Sequence, residues 1–323
     1  MDSKYLDEKW KTLSAAGGRN RSLRIDSKCL PDLFLGVDDG AVRSLILKLP
    51  DNHGVDFQST EKANLSIQLY PDSNWIVLKL LDPGFADLFN DLIASIYNKI
   101  AGLKSIKDAS SGLLTAFYKW SDFFTEKDST HQSEESIRAI FGELLVLRER
   151  LLLTEASLLN DVLASWKDPR KNKHDFITGH GDTEVRTIYS TDTDVFIASE
   201  YQLAEEAGRP LELSVVTVTG DEAGLSIRDM VLIIRELVIG QLADFTIVLK
   251  ALTVHGLSTR YLGQYDDHRY TPVSIDTYDC VAVGFPRIIR QGLPDAINKL
   301  SYRLRVASLA PFLKSSKPIT QWE

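Results

Sequence analysis

Apolar and polar residues alternate with the two-residue period of a β-strand in four short segments near the N-terminus. Residues 50–52 (Pro-Asp-Asn) and 71–73 (Pro-Asp-Ser) separate these segments with residue types that favour turns. The pattern therefore predicts antiparallel hairpins, preceded by a short helix in the first twenty residues that ends at Gly17-Gly18. The predicted strands cover residues 23–25, 44–49, 65–70 and 75–80.

The period changes to that of a helix between residues 83 and 125. Apolar residues recur at helical spacing over residues 85–100, and a group rich in aromatic side chains follows over residues 113–124. Because the aromatic residues also keep helical spacing, we expect them in a core or a seam between domains, not in a base-stacking platform. The polar residues 125–133 are expected to form a linker.

A second helix-and-strand pattern occupies residues 133–220. Ser133 stands before two first-turn acids, as an N-cap does, and apolar residues recur at helical spacing through residue 151. A further helix is expected to begin at a capping pair formed by Ser226 and Asp229. Strands are predicted near residues 174–178, 183–189, 194–199 and 211–218.

The C-terminal pattern is less regular. Residues 245–249 are compatible with either a helix or a strand, and strands are predicted at 279–283 and 299–306. These strands could pack on the N-terminal strands or form a sheet of their own. The whole pattern predicts an α+β or α/β chain in three regions, at residues 1–125, 133–255 and 256–323.

Composition narrows the class of protein. The 323 residues are 44% hydrophobic and 25% charged, which is ordinary for a globular protein. The two cysteines, Cys29 and Cys280, suit a reducing cytoplasm and provide no disulfide framework. We find no signal peptide, membrane span, Walker motif or nucleophile elbow. The sequence therefore predicts a cytoplasmic protein without ATPase or methylase chemistry of its own.

The net charge of −8 argues against a protein that binds DNA over its whole surface. A basic segment, however, leads directly into an acidic residue, Asp175. A cationic approach to a metal site would steer phosphate, whereas the alternative is a solvated loop broken at Asp168-Pro169. The basic segment consists of Lys167, Arg170, Lys171 and Lys173.

Candidate chemistry centres on three acids. Asp175 lies in one predicted strand, and Glu184 and Arg186 lie two residues apart in the next, so both would project from the same face. A hairpin through the Gly- and Asp-containing residues 178–182 would place the two carboxylates side by side. Adjacent carboxylates repel unless a cation or a proton lies between them. Taken by themselves, Glu184 and Arg186 favour the simpler interpretation of an ion pair on a solvated strand.

Glu143 is the third acid. It falls at the edge of the apolar stripe of the helix over residues 133–151, from where it could reach a neighbouring strand. His174 and His180 flank the predicted hairpin, and we expect both at the surface. Without a His/Cys cluster, the sequence indicates no zinc site.

With these residues the chain resembles the PD-(D/E)XK nuclease superfamily. It looks most like the PD-(D/E)XK motif proteins encoded in bacterial restriction and phage-defence clusters beside a Z1-type helicase, a DNA methylase and an ATPase. The resemblance implies a restriction-endonuclease-like mixed-sheet core, flanked by an N-terminal β-rich region and a C-terminal α/β region. It rests on residues 141–145 (Phe-Gly-Glu-Leu-Leu), 174–176 (His-Asp-Phe), 184–187 (Glu-Val-Arg-Thr) and 198–203 (Ala-Ser-Glu-Tyr-Gln-Leu).

The resemblance also implies roles for individual residues. Asp175, Glu184 and the carbonyl of Val185 would bind Mg²⁺ or Mn²⁺, and Glu143 would bind a second ion or a metal-bound water. Gln202 would contact the site. Arg186 stands where the family pattern has lysine, and arginine stays protonated, so it could stabilise phosphate charge but could not act as a base.

Two functions are therefore expected from different classes. The first is a metal-dependent DNA endonuclease subunit that acts with helicase, ATPase and methylase partners. The second is a catalytically impaired subunit that keeps the fold for complex assembly or DNA positioning. The three retained acids favour the first, and the arginine together with the acidic net charge favours the second.

Overall fold

The computed structural model describes residues 1, 3–15, 20–125, 131–206 and 208–319. The predicted break at Gly17-Gly18 and most of the predicted linker lie outside these residues. The chain forms two compact units, residues 1–128 with 238–246, and residues 129–237 with 247–323. Among the described residues, no helix combines the length and apolarity that a bilayer crossing requires.

The first unit combines helices with an antiparallel six-stranded sheet in the order β1-β2-β3-β6-β5-β4. All four predicted strands are present, and the structure adds β2 and β4. The elements are α1 (Ser3–Ala15), β1 (Arg21–Arg24), β2 (Asp32–Val37), β3 (Arg43–Lys48), β4 (Thr60–Lys62), β5 (Leu65–Tyr70), β6 (Trp75–Leu80), α2 (Ala86–Ile100) and α3 (Ile106–Trp120).

Apolar burial holds this unit together. Leu47 and Leu78, on the neighbouring strands β3 and β6, are fully buried, as are residues of the helices such as Phe89 and Phe117. Trp10 of α1 donates a hydrogen bond from Nε1 to Oδ1 of Asn90 in α2, at 2.8 Å. The aromatic residues of α3 thus include a core member, as their spacing predicts.

The second unit is built around a mixed five-stranded sheet in the order β13-β11-β10-β8-β7. Strands β8 and β10 are parallel and the other pairs antiparallel, while β9 pairs with β12 in a separate ribbon. The remaining elements are α4 (Glu134–Leu152), α5 (Leu159–Ser165), β7 (Phe176–Ile177), β8 (Asp182–Tyr189), β9 (Asp194–Ile197), β10 (Leu211–Leu225), α6 (Ile227–Gly240), α7 (Phe245–Val254), β11 (Tyr270–Asp279), β12 (Tyr302–Arg305) and β13 (Leu313–Pro318).

The protein is thus a mixed α+β fold with a mixed sheet, as the sequence predicts. Helix α4 packs against β8, with Arg150 of the helix donating to Thr183 Oγ1 at 2.8 Å. Residues of opposite parity on β8 face the other way. On that side Ile188 joins a buried apolar group with Leu211, Leu213 and Tyr278.

The C-terminal strand prediction at residues 279–283 is wrong. Strand β11 ends at Asp279, and the following residues turn away from the sheet. Within residues 280–283 only Cys280 is buried, and its backbone N–H is bonded to the carbonyl of Leu211, whereas Val283 is fully exposed. The two valines of this segment, Val281 and Val283, are exposed. A high β propensity without burial is therefore not sufficient to form a strand here.

Tertiary pairing also settles two open points. Residues 245–249 belong to helix α7. Strands β11 and β13 join the sheet that contains β8 and β10. The strand predicted at residues 299–306 is present as β12, which pairs with β9 in the separate ribbon. Within the described ranges, none of these C-terminal strands pairs with the N-terminal strands. Strand β13 is exposed at every residue and is held by backbone pairing with β11, which explains why no hydrophobic pattern marks it.

Candidate functional site

A short hairpin brings two of the predicted acids together. Strands β7 and β8 pair Phe176 with Thr183, and the turn is closed by a 3.0 Å hydrogen bond from Thr178 N to Gly181 O. Asp175 precedes β7 and accepts a 2.7 Å hydrogen bond from Val185 N on its Oδ2. The side-by-side placement predicted for the two carboxylate segments is therefore present.

The alternation of β8 places Glu184 and Arg186 on one face, where they form an ion pair. Arg186 Nη1 also donates to the carbonyl oxygen of Val185 at 2.7 Å. The side chain of Glu184 is 2% exposed, and its Oε2 is buried without a partner among the described atoms. A buried carboxylate oxygen without a partner is costly, which marks the position as one that a cation would satisfy.

Helix α4 can approach β8 closely because residue 142 is glycine. A Cβ at Gly142 would lie 1.9 Å from Thr187 Oγ1, so a larger residue would require the Thr187 side chain or the helix to move. The next residue, Glu143, is thereby buried at 8% exposure on the same helix. The Gly-Glu pair of the sequence thus has a structural reason, since glycine lets the helix that carries Glu143 lie close to β8.

Two residues that the sequence analysis missed contact Glu143. Trp166, at the end of α5, donates from Nε1 to Glu143 Oε2 at 2.6 Å. His255, which follows α7, places Nε2 3.2 Å from the same oxygen, an ion-pair distance without hydrogen-bond geometry. The two rings stack with centroids 4.4 Å apart and planes 26° apart. The sequence carried one signal for His255, which is a histidine followed by glycine (Gly256) at the end of a helix. Cationic side chains are favoured at that position.

The acid cluster, by which we mean Glu143, Asp175 and Glu184, is electrostatically coupled. Burial, and then the charge of Glu143, raises the pKa of Asp175 to about 7. Burial also raises the pKa of Glu184 well above its usual value, although Arg186 opposes that effect. Burial lowers the pKa of His255, but the contact with Glu143 outweighs this and leaves it raised. Asp175 and Glu184 therefore hold their protons more tightly than isolated acids do, as expected of a site with too little positive charge.

The donor set has the chemistry for a hard divalent cation. Carboxylates with a main-chain carbonyl suit Mg²⁺ and Mn²⁺, and Glu184 Oε2 has no competing partner. In the described part of the chain, however, groups of three or more His, Cys, Asp or Glu do not converge as ready-made ligands. Arg186 donates hydrogen bonds to Glu184 Oε1 and to the Val185 carbonyl oxygen. These two oxygens can therefore bind a metal ion only when the guanidinium moves.

Gln202 lies in a local turn. Its Oε1 accepts hydrogen bonds from Ala198 N at 2.7 Å and Ser199 N at 3.3 Å, which fixes the chain after β9. Neither of these contacts involves the acid cluster. The Gln202 side chain thus shapes its own turn, which is a structural role that a sequence motif does not distinguish from a catalytic one.

The prediction that His174 lies at the surface is wrong. His174 is 2% exposed, and its Nδ1 lies 3.0 Å from Asp182 Oδ2. Arg209 pairs with the other oxygen of Asp182 at 2.6 Å and with the carbonyl of Thr178 at 2.7 Å. This group ties the base of the hairpin, because a buried polar side chain must find a partner. His180 is exposed, as expected.

The basic segment lies beside the hairpin with three of its four side chains exposed. Arg170 pairs with Asp168 at 3.2 Å, and the half-buried Lys167 donates from Nζ to the carbonyl of Ala164 at 2.7 Å. The backbone N–H of Lys167 also donates to the carbonyl of Asp175 at 2.8 Å. Lys171 and Lys173 are therefore the exposed cations of this segment that are most available to contact a ligand approaching Asp175.

Comparison with protein families gives a match over residues 6–307 to the family described as "Putative PD-(D/E)XK family member, (DUF4420)". The chain belongs to this family. The matched range includes the helix with Glu143, the hairpin with Asp175 and Glu184, and Arg186. Neither the curated proteins nor the solved structures give a match.

Proposed function

We propose that this PD-(D/E)XK protein is a metal-dependent DNA endonuclease, a subunit of a bacterial restriction-like anti-phage defence system that works with helicase, ATPase and methylase partners. The observation that carries the proposal is Glu184, a buried acid with one unpartnered oxygen in the strand of the family motif. Burial of a carboxylate at this position reduces the stability of the fold unless a cation compensates its negative charge.

Asp175, Glu184 and the Val185 carbonyl would hold Mg²⁺ or Mn²⁺, with Glu143 beside them. Such an ion supplies a Lewis acid for the phosphodiester and lowers the pKa of bound water. The protein's own part is to place these oxygens and the Arg186 guanidinium. A planar guanidinium suits two-point contact with a phosphate.

Arg186 must leave its present partners to perform that role. Its guanidinium bonds to Glu184 and to the Val185 carbonyl, two of the oxygens that a cation would use. We therefore expect Arg186 to turn from the carboxylate to the scissile phosphate when substrate enters. Lys171 and Lys173 would guide the DNA backbone toward the same place.

The test is cleavage of duplex and single-stranded DNA with Mg²⁺ or Mn²⁺. Wild type should cleave, and Asp175→Ala and Glu184→Ala should each abolish cleavage. Glu222→Ala, which removes an exposed acid on β10 of the same sheet, should retain it. Equal cleavage by wild type and both site variants would refute the proposal, because the activity would then come from elsewhere.

A second function is favoured by the contacts of Arg186. A guanidinium that engages two prospective donors would also suit a subunit that has lost hydrolysis and serves complex assembly or DNA positioning. Arg186→Lys separates the two, since lysine makes a single-point contact and restores the family pattern. Cleavage by both proteins supports the endonuclease. Cleavage by the variant alone, or by neither protein despite stable DNA or partner binding, supports the second function.

A further inference from the structure

We propose that Trp166 and His255 are positioning residues for Glu143, which hold one oxygen of its carboxylate so that the other is available to a divalent ion. The inference rests on the proposed function and assigns two residues outside the family motif to the site. Both described contacts fall on Oε2 of Glu143, and neither uses Oε1.

The geometry is that of a built clamp. Trp166 can only donate, and its 2.6 Å hydrogen bond fixes the direction of the carboxylate. His255 approaches the same oxygen at 3.2 Å and stacks on the indole. The three residues come from α4, the end of α5 and the end of α7, and each is no more than 8% exposed. Three separate elements therefore converge on one carboxylate oxygen.

The orientation of His255 is set by the end of helix α7. Leu257 N bonds to Leu252 O at 2.9 Å and Gly256 N to Thr253 O at 3.1 Å, the pair of bonds that closes a helix in a Schellman motif. Gly256 has a φ of +78°, which the motif requires and which favours glycine. His255 Nδ1 lies 2.8 Å from the carbonyl of Ala251, and this contact orients the ring with Nε2 toward Glu143.

A packing role alone does not explain this convergence. A stacked Trp–His pair gains its dispersion energy wherever its polar atoms point. Here both polar ends meet a single oxygen of a buried acid in the acid cluster. Fixing a ligand before the ion arrives reduces the ordering cost of binding, and partners of this kind typically contribute tenfold to a hundredfold to metal affinity.

The experiment is calorimetric titration of the full chain with Mn²⁺ alone, with thermal unfolding recorded for each protein. We expect Trp166→Phe and His255→Leu to weaken Mn²⁺ binding about tenfold to a hundredfold. His255→Gln, which keeps a side-chain amide donor, should recover most of the loss. Phe141→Leu, a buried packing change on α4, should lower the unfolding temperature and leave Mn²⁺ affinity unchanged.

A double substitution tests whether the clamp acts through Glu143. Glu143→Gln/His255→Leu should bind Mn²⁺ no more weakly than Glu143→Gln, because the second change has nothing left to position. Additive losses in the double variant, or wild-type affinity in both Trp166→Phe and His255→Leu, would overturn the inference.

Failure of the proposed function gives a different result. Mn²⁺ affinities that follow the clamp, in a protein that cleaves no DNA, would leave the positioning role standing and refute only the nuclease. Metal-dependent cleavage with Mn²⁺ affinity insensitive to Trp166 and His255 would refute only the clamp. A folded wild type that binds no Mn²⁺ would overturn both.

Discussion

Strands β6 and β8 lie inside sheets of different units, and they bury opposite kinds of residue. Strand β6 buries Ile76, Leu78 and Leu80, each at 3% exposure or less. Strand β8 buries Asp182 and Glu184 to the same degree. The two sets of side chains are buried to a similar extent, but they contribute to the free energy of folding with opposite sign. Burial of apolar side chains stabilises a fold, whereas burial of an acid costs free energy unless its charge is compensated.

The comparison of β6 with β8 shows that the acids of β8 are not buried in order to stabilise the fold. Every strand neighbour of Leu78 is apolar, since β3 and β5 place Leu45 and Ile67 beside it. Glu184, by contrast, lies beside Asp175, another acid, and its only described ion-pair partner is Arg186. Buried acids that lie beside one another on a strand are better explained by binding of a cation than by packing in the core.

The largest expected effect removes the charges from β8. Glu184→Leu/Arg186→Met should abolish Mn²⁺ binding measured by calorimetry while leaving the free energy of unfolding unchanged or higher. Replacing a buried ion pair with apolar residues of similar size is often neutral or stabilising by roughly 1–4 kcal/mol. Retained Mn²⁺ binding, or a stability loss of several kcal/mol, would show that the pair belongs to the core and would remove the contrast with β6.

The matched change in β6 should do the reverse. Leu78→Ala removes a fully buried side chain and should cost about 2–5 kcal/mol of unfolding free energy, since it leaves a cavity. Mn²⁺ affinity of the folded protein should not change. Chemical denaturation and calorimetry at a temperature where the variant is folded provide both measurements, and an altered affinity would break the comparison.

The pH dependence of stability should come from β8 and its neighbours. Burial and the charge of Glu143 raise the pKa of Asp175 to about 7, so the folded protein binds this proton more tightly than the unfolded chain. The stabilising contribution is complete below pH ~4 and is lost as the pH rises through about 7. It amounts to as much as about 4 kcal/mol at one pKa unit per 1.36 kcal/mol.

Urea denaturation without divalent ions, from pH 4 to pH 8, measures this effect. The free energy of unfolding of wild type should fall across that range, and Asp175→Asn should fall less steeply because its side chain does not titrate. Parallel curves for the two proteins would mean that Asp175 titrates alike in the folded and unfolded chains.

The smallest effect concerns the basic segment. Arg170→Gln/Lys171→Gln/Lys173→Gln should weaken DNA binding several-fold, because three exposed cations are lost. The slope of log affinity against log salt should also decrease, by at most about 0.9 for each phosphate contact removed. Fluorescence anisotropy at several salt concentrations measures both quantities.

A charge-matched control is available in the first unit. Lys11, Lys104 and Lys107 are exposed, and changing all three to glutamine alters the net charge equally. If this control weakens DNA binding as much as the basic-segment variant does, general charge is responsible and the segment has no special role.

Much of the fold follows from local pattern. The helix of Ser133 begins where its N-cap predicts, with Ser136 N donating to Ser133 Oγ at 3.2 Å, and the Ser226–Asp229 pair caps α6 as expected. Strand β6 was predictable because its apolar run has turn residues on the N-terminal side. Strand β13 was not, since its exposed residues carry no hydrophobic signal and only backbone pairing defines it.

The candidate site divides in the same way. Its acids could be found from their order, because a hairpin and a two-residue strand period decide which carboxylates can meet. His174 could not be placed, since its burial depends on Asp182, eight residues along the chain, across the hairpin. Trp166 and His255 carry no motif, and they contact Glu143 only because α5 and α7 end beside α4.

By itself the sequence determined the mixed α+β class, the hairpin between Asp175 and Glu184, and the shared face of Glu184 and Arg186, because short-range periodicity and turn chemistry control all three. The tertiary structure alone decided that β11 and β13 complete the sheet of β8. It also decided that Arg186 engages Glu184 and the Val185 carbonyl, and that a tryptophan and a histidine hold Glu143. Contacts between distant segments depend on how whole elements pack, and no local pattern of residues encodes that packing.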